Sequence, residues 1–266
     1  MRKFLPYILV ILFIVPACDE NNDFVIFSIE DDKKLGLQVS EQIASDPQQF
    51  PILDRVQYEA AYNYLQDITD KILNSGEVSY RDEFAWKIHI IENDEVLNAF
   101  ATPGGYIYVY TGLIKFLDNE DDLAGVMGHE IAHSDQRHSV KQLQKMYGVQ
   151  ILLSVVLGDS PSQLEQIAGQ IAGSLAGLSF SRSNEEEADD YSVTYLAETP
   201  YQCNGAHSFF SKLLEEEKTG NTPEFLSTHP NPADRIEDIN IKANELSCST
   251  EPFAPDTYQD FKNLLP

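Results

Sequence analysis

His129-Glu130-Ile131-Ala132-His133 is the stretch that decides how this chain reads. The two histidines are four residues apart, so a helix sets them one turn apart on one face, where they can share a metal ion. Glu130 lies about 100° around the same helix and can reach a water beside that metal. Imidazole suits zinc, and a catalytic zinc takes three protein ligands and keeps one position open. Leu123, Val126, Met127 and Ile131 recur at helical spacing, and the acidic run from Asp118 to Asp122 suits a helix N-terminus. The plain alternative is a surface helix with two solvated histidines. It gives no reason for a Glu between them in a largely apolar stretch.

A third ligand has to come from farther along. The pattern HExxHxxGxxH is not met, because Gln136 and Ser139 stand where it needs Gly and His. His138 is one position off, points elsewhere on a continuous helix, and reads as a surface residue. The candidate is Ser181-Arg182-Ser183-Asn184-Glu185-Glu186-Glu187-Ala188-Asp189. Glu185 and Asp189 are four apart and share a helix face. Glu185 can ligate the metal while Asp189 accepts a hydrogen bond from the outer nitrogen of a ligand histidine. Taken alone, Glu185-Glu186-Glu187 reads more simply as the solvated start of an acidic helix.

HExxH followed about fifty residues later by SRxxExxAD resembles the M48 zinc metallopeptidases. That gluzincin group includes the CAAX prenyl protease type, the HtpX type and the periplasmic BepA/LoiP type. Asn98-Ala99-Phe100-Ala101-Thr102-Pro103-Gly104-Gly105 is similar to the family's NAFAxPGG segment, and Thr228-His229-Pro230 with Arg235-Ile236 to its THPxxxxRI segment. The motifs run in the family's order between about residues 50 and 245. Carried over position by position, the resemblance implies one zinc ion per chain held by His129, His133 and Glu185. It implies Glu130 as the base and a transition-state role for His229. The departure is Asp190-Tyr191-Ser192 after Ala188-Asp189, where the family often has a small residue. Helix packing is expected to differ there.

The N-terminus reads as a targeting signal. Arg2 and Lys3 precede an apolar run from Phe4 to Val15 that is too short to span a membrane. Val15-Pro16-Ala17-Cys18 then resembles a bacterial lipobox, although Pro16 is unusual inside one. The expected order is a lipoprotein signal at 1–17, lipidation of Cys18 and a polar tether at 18–33. A peptidase domain at 34–248 and an extended tail at 249–266 follow. An ordinary signal cleaved near Ala17 is the alternative. Cys203 and Cys248 remain, an even pair that makes a candidate disulfide in an oxidising compartment. A net charge of −25 argues against nucleic acid and against electrostatic binding to an anionic membrane, leaving the lipid as the only membrane contact.

Apolar periodicity predicts helices at 34–46 and 52–75, and strands at 84–91, 98–102 and 106–110. A short helix follows at 113–117, and the HExxH helix is expected to run on to about Tyr147. Apolar stretches at 149–157 and 167–178 are each shorter than the ~20 residues of a spanning helix. Gly169, Gly173 and Gly177 recur every four residues, which suits close approach of another helix. Helices at 183–198, 205–219 and 232–247 complete the list. Together with the resemblance, this predicts an α+β, mainly helical zincin-like domain with a small sheet beside the HExxH helix.

The expected function is that of a zinc metalloendopeptidase of the bacterial cell envelope, periplasm-facing at the outer membrane. Its expected substrates are unfolded or misassembled envelope proteins. The strand from Asn98 to Ala101 is where an extended substrate would add through backbone hydrogen bonds. The alternative is an envelope chaperone or assembly factor in which zinc holds the fold and proteolysis is slight.

Overall fold

Residues 25–158, 161–218, 220, 223–230, 232–253 and 257–266 are described by the computed structural model. The signal segment, Cys18 and the first part of the tether lie outside the described residues.

A three-stranded mixed sheet sits between two layers of helices. β1 (Lys87–Ile91) runs parallel to β3 (Tyr106–Tyr110), which pairs antiparallel with β2 (Ala99–Thr102), in the order β1-β3-β2. Side chains alternate along the strands, so the sheet feeds two cores. Ile88, Ile90, Ala99, Ala101, Ile107 and Val109 join the larger core. Its helical side comes from α2 (Glu59–Leu73), α3 (Thr111–Phe116), α4 (Glu120–Asp135), α8 (Arg182–Ala197), α9 (Ala206–Lys218) and α11 (Pro232–Leu246). Phe100, Tyr106, Tyr108 and Tyr110 face the smaller core, with α1 (Ile29–Ser45), α5 (His138–Tyr147), α6 (Val149–Leu157) and α7 (Pro161–Leu175). Two short helices complete the set among the described residues: α10 (Glu224–Thr228) and α12 (Tyr258–Lys262). Among those residues no helix is long and apolar enough to cross a membrane.

α4 is buried along its whole length, which its sequence hides behind an acidic first turn. Those acids are clamps. Asn119 caps the helix by accepting from the Asp122 amide at 2.9 Å. Glu120 accepts from the Tyr201 hydroxyl at 2.6 Å, and Asp121 accepts from the amides of Gln202 at 2.9 Å and Phe253 at 2.8 Å. The acidic run therefore fixes α4 to the loop before α9 and to the C-terminal segment. That segment is less extended than its two prolines imply. α12 forms within it and places Tyr258 and Phe261 in the larger core.

Close approach of helices occurs at glycines other than those the sequence singles out. A Cβ on Gly125 would meet the Ala206 amide nitrogen at 2.2 Å, and one on Gly128 would meet the Ser192 hydroxyl at 2.7 Å. α9 and α8 thus approach α4 through bare backbone, and the Ser192 hydroxyl donates to the Gly125 carbonyl at 3.1 Å. Ser192, in the stretch that departs from the family pattern, packs against Gly128 of α4. Gly169, Gly173 and Gly177 meet nothing closer than 3.8 Å, because α7 turns Ala168, Ile171, Ala172 and Leu175 inward instead.

The HExxH helix also ends earlier than expected. Arg137 adopts a left-handed backbone with φ 60°, so α4 stops at Asp135 and α5 starts afresh at His138. Arg137 spends its side chain on α1: Nε donates to Asp32 at 2.6 Å and Nη2 to the Phe27 carbonyl at 2.6 Å. A tertiary ion pair at a buried Asp32 overrides the helical propensity of the run. Cys203 and Cys248 are joined, with Cα atoms 6.2 Å apart, which ties the start of the α9 region to the end of α11.

Candidate metal centre

Three elements meet at one point. α4 supplies His129, Glu130 and His133, α8 supplies Glu185 and Asp189, and the α10–α11 segment supplies His229 and Arg235. His129, His133, Glu185 and His229 each present a ligand atom, and these atoms lie within 4.8 Å of one another. His129 Nε2 is 2.9 Å from His133 Nε2 and 3.2 Å from His229 Nδ1. Glu185 Oε1 is 3.1 Å from His229 Nδ1 and 3.5 Å from His133 Nε2. Ligand distances of ~2.0–2.1 Å in a tetrahedral zinc site correspond to edges of about 3.3 Å between ligand atoms. The cluster matches that frame.

Proton bookkeeping makes the same point. His129 Nδ1 lies 2.9 Å from Asp189 Oδ1 and is the natural donor to that carboxylate, which leaves Nε2 with its lone pair. His133 Nδ1 lies 2.9 Å from His138 Nδ1, and its Nε2 faces the other ligand atoms. With Nδ1 of each ring engaged elsewhere, the two Nε2 atoms 2.9 Å apart are placed to give their lone pairs to one cation. The residues therefore fit a divalent metal of the zinc type, with Asp189 placed as the partner of His129.

The charges around the cluster are balanced by one arginine. Arg235 is 2% exposed and grips Asp189 with Nε at 2.6 Å and Nη2 at 2.7 Å, while Nη1 lies 2.8 Å from Glu185 Oε2. Burial alone would raise the Asp189 pKa, but the Arg235 guanidinium outweighs it and holds the carboxyl below its usual range. Burial opposes the Glu185 charge too, and the charges of His229 and Arg235 carry its pKa well below the ordinary value. Arg235 also lies over the Phe210 ring, 4.1 Å from its centroid. Arg235→Met is expected to destabilise the zinc-free protein by roughly 3–5 kcal/mol, because it leaves buried carboxylates uncompensated. Urea unfolding after chelation reads that cost, and a change below 1 kcal/mol (about a fivefold shift in the unfolding constant) would remove Arg235 from this role.

Glu130 is different from the ligands. Both its carboxylate oxygens are buried and without a hydrogen-bond partner, and Oε1 lies 3.6 Å from His229 Nε2. Burial raises its pKa, opposed by the charges of His229 and His129. A carboxylate with unspent acceptors beside a metal cluster is placed to take a proton.

His229 stands closer than a transition-state role alone requires. Its Nδ1 fills the fourth corner of the cluster, and its ring stacks on Phe225 at 4.2 Å. The whole centre is closed over: His129, Glu130, His133, Glu185 and His229 are each at most 1% exposed. Phe180, in the segment between α7 and α8, stacks on His133 at 4.1 Å, and its amide donates to the Thr228 carbonyl at 3.3 Å.

The strand from Asn98 to Ala101 is the sheet edge nearest this cluster, but it is covered. The register turns the backbone N–H and C=O groups of Ala99 and Ala101 away from β3, while their side chains stay in the larger core. The Ala99 amide donates to the Asn98 side chain at 2.9 Å, and the Ala101 carbonyl accepts from Ser139 at 2.8 Å. Asn98 also donates to the Ala176 carbonyl at 3.2 Å. Phe100 faces away, stacked on Tyr108 in the smaller core.

Sequence reasoning left the roles of three residues here unassigned or misplaced. Arg235 was visible as a cation owed to two buried carboxylates. His138 is not on the surface: it is fully buried against His133, because the break at Arg137 turns it back. Phe180 carried no signal, since a lone aromatic before a helix cap has no chemistry of its own.

A model of peptidase family M48 matches residues 59–243. The beta-barrel assembly-enhancing protease of Escherichia coli K12 is 33% identical over 182 residues, 65% of this chain and 36% of that protein. The mitochondrial metalloendopeptidase OMA1 of Schizosaccharomyces pombe is 28% identical over 187 residues, 68% of this chain and 53% of that enzyme. The chain thus spans between about a third and a half of the length of these relatives. The family match takes in every residue of the buried cluster, and the chain belongs to peptidase family M48, with the His-His-Glu metal site of a metalloendopeptidase intact.

Proposed function

We propose that this chain is a zinc-dependent metalloendopeptidase of the bacterial cell envelope that cleaves unfolded or misassembled proteins. The observation that carries the chemistry is the buried cluster of His129, His133, Glu185 and His229 beside the unspent carboxylate of Glu130. Bound there, zinc would supply Lewis acidity toward a carbonyl and toward water. Glu130 takes the proton of the attacking water and passes it to the leaving amine. His229, whose Nε2 lies 3.6 Å from Glu130, would donate to the oxyanion, and Asp189 keeps His129 oriented. The covered edge of β2 has to open for an extended chain to pair with Ala99 and Ala101. Pairing through backbone would favour flexible chains of broad sequence.

The envelope role is supported by the similarity to the beta-barrel assembly-enhancing protease of Escherichia coli and by the lipobox-like Cys18. Cys18→Ser is expected to move the protein from the membrane fraction to the soluble one with peptidase activity retained. Persistent membrane association after that change would point to an uncleaved signal anchor. The proposal as a whole is tested by comparing proteins that accumulate in cells carrying wild type or Glu130→Gln. An envelope role that survives in Glu130→Gln would favour the chaperone or assembly-factor alternative.

His229→Ala is expected to keep zinc and to lower kcat and kcat/KM together by about a hundredfold, the size of a lost oxyanion donor. Steady-state kinetics with metal analysis decide it. A change in KM alone, or loss of zinc, would assign His229 a different task.

A further inference from the structure

His138 is a buried histidine that the reaction above does not use. It opens α5, and both its ring nitrogens are engaged. Nδ1 lies 2.9 Å from Nδ1 of His133, and Nε2 lies 3.0 Å from Oε2 of Glu187. The metal end of this row fixes the role of every atom. A histidine that gives its Nε2 lone pair to a metal carries its proton on Nδ1. His133 turns Nε2 toward the other ligand atoms, so its Nδ1 donates and His138 Nδ1 accepts. His138 then carries its own proton on Nε2 and donates it to the Glu187 carboxylate, which only accepts. Reversing either bond would set two protons or two lone pairs face to face.

The two ligand histidines of α4 are therefore served differently. His129 meets its carboxylate directly, at 2.9 Å from Asp189. The outer nitrogen of His133 reaches a carboxylate through a second imidazole. On a continuous helix, residues five apart lie about 140° from each other, and His138 could not face His133. The left-handed Arg137 makes the meeting possible, with φ 60° between α4 and α5. At the far end, Glu187 is 17% exposed and lines a surface cleft with Ser183, Asp190, Tyr191 and Lys242. α8 thus carries the ligand Glu185 and also both carboxylates that stand behind the ligand histidines.

We infer that His138 and Glu187 are positioning residues that hold His133 in its metal-binding tautomer and orientation, as a carboxylate–imidazole–imidazole row running from the metal centre to the α8 cleft. The inference rests on the zinc reading of the cluster. A hydrogen-bonded partner behind a ligand imidazole fixes its ring and strengthens it as a ligand, and losing one costs about 10- to 100-fold in metal affinity.

The test uses the full chain, with zinc affinity measured by competition with a chromophoric chelator and ligand geometry by the visible spectrum of the Co²⁺-loaded protein. His138→Leu is expected to weaken zinc by about 10- to 100-fold and to shift the Co²⁺ bands. His138→Gln is the rescue: its amide oxygen accepts from His133 and its amide nitrogen donates to Glu187. It is expected to stay within about threefold of wild type, on the same scale. Glu187→Ala should fall between the two, and the exposed neighbour Glu186→Ala should change nothing. If Leu and Gln weaken zinc alike, His138 only fills space and the inference is overturned. Wild-type affinity and spectrum in His138→Leu would overturn it as well. Failure of the wild-type chain to bind zinc at all would sink the zinc reading itself, whatever the His138 variants do.

Discussion

Glu130→Gln is expected to lower kcat by about 10²- to 10⁴-fold, the usual worth of a positioned acid–base group, while the protein keeps its metal. The separation of the two effects follows from geometry. Glu130 lies outside the set of ligand atoms, and neither of its oxygens holds a hydrogen bond that the fold would miss. Gln is nearly isosteric and removes a charge that burial disfavours. The variant should therefore melt no lower than the parent. Sites built for chemistry carry such uncompensated groups at some cost to stability. Hydrolysis of a fluorescent unfolded protein, beside metal content and thermal melting, is the measurement. Retained turnover would take Glu130 out of the mechanism. Lost activity with lost zinc would make it a structural member of the centre instead.

The parts of this site that could be read from sequence are those fixed by helical spacing. His129 and His133 on one turn, and Glu185 and Asp189 on another, needed only the helix repeat to be paired correctly. The sheet was legible because β1 and β3 alternate in plain sight, although its mixed order β1-β3-β2 has no local signal. What escaped was set by tertiary contact. The break at Arg137 depends on Asp32, more than a hundred residues earlier, and no local propensity announces it. His138 was misplaced for that reason alone, since the angle assigned to it assumed an unbroken helix. The burial of the acidic turn at Glu120 and Asp121 depends on Tyr201, Gln202 and Phe253, again remote in sequence. His229 was found only by resemblance, because the turn that brings it to α4 is anchored by a backbone bond from Phe225 to Leu97.

Glu185→Ala is expected to abolish zinc retention and with it all turnover, whereas Glu186→Ala should change neither. Two adjacent glutamates in an acidic run are equivalent to any compositional reading, and the fold separates them completely. Glu185 is 1% exposed and shares the cluster with three imidazoles, while Glu186 is exposed. Removing Glu185 takes away a ligand and also leaves Arg235 Nη1 without its partner at 2.8 Å, so positive charge remains where a cation must bind. The thermal signature should follow the metal. Zinc held at a thousand times its dissociation constant stabilises the folded chain by about 4 kcal/mol. For a chain of this size that corresponds to roughly 10 °C in melting temperature. Chelation should therefore lower the melting temperature of the wild type and of Glu186→Ala by that amount, and should leave Glu185→Ala nearly unmoved. Equal behaviour of the two variants would mean that the third ligand has been misassigned. A chelation shift retained in Glu185→Ala would mean that the three histidines hold zinc unaided, and the carboxylate would then act on charge and not as a ligand.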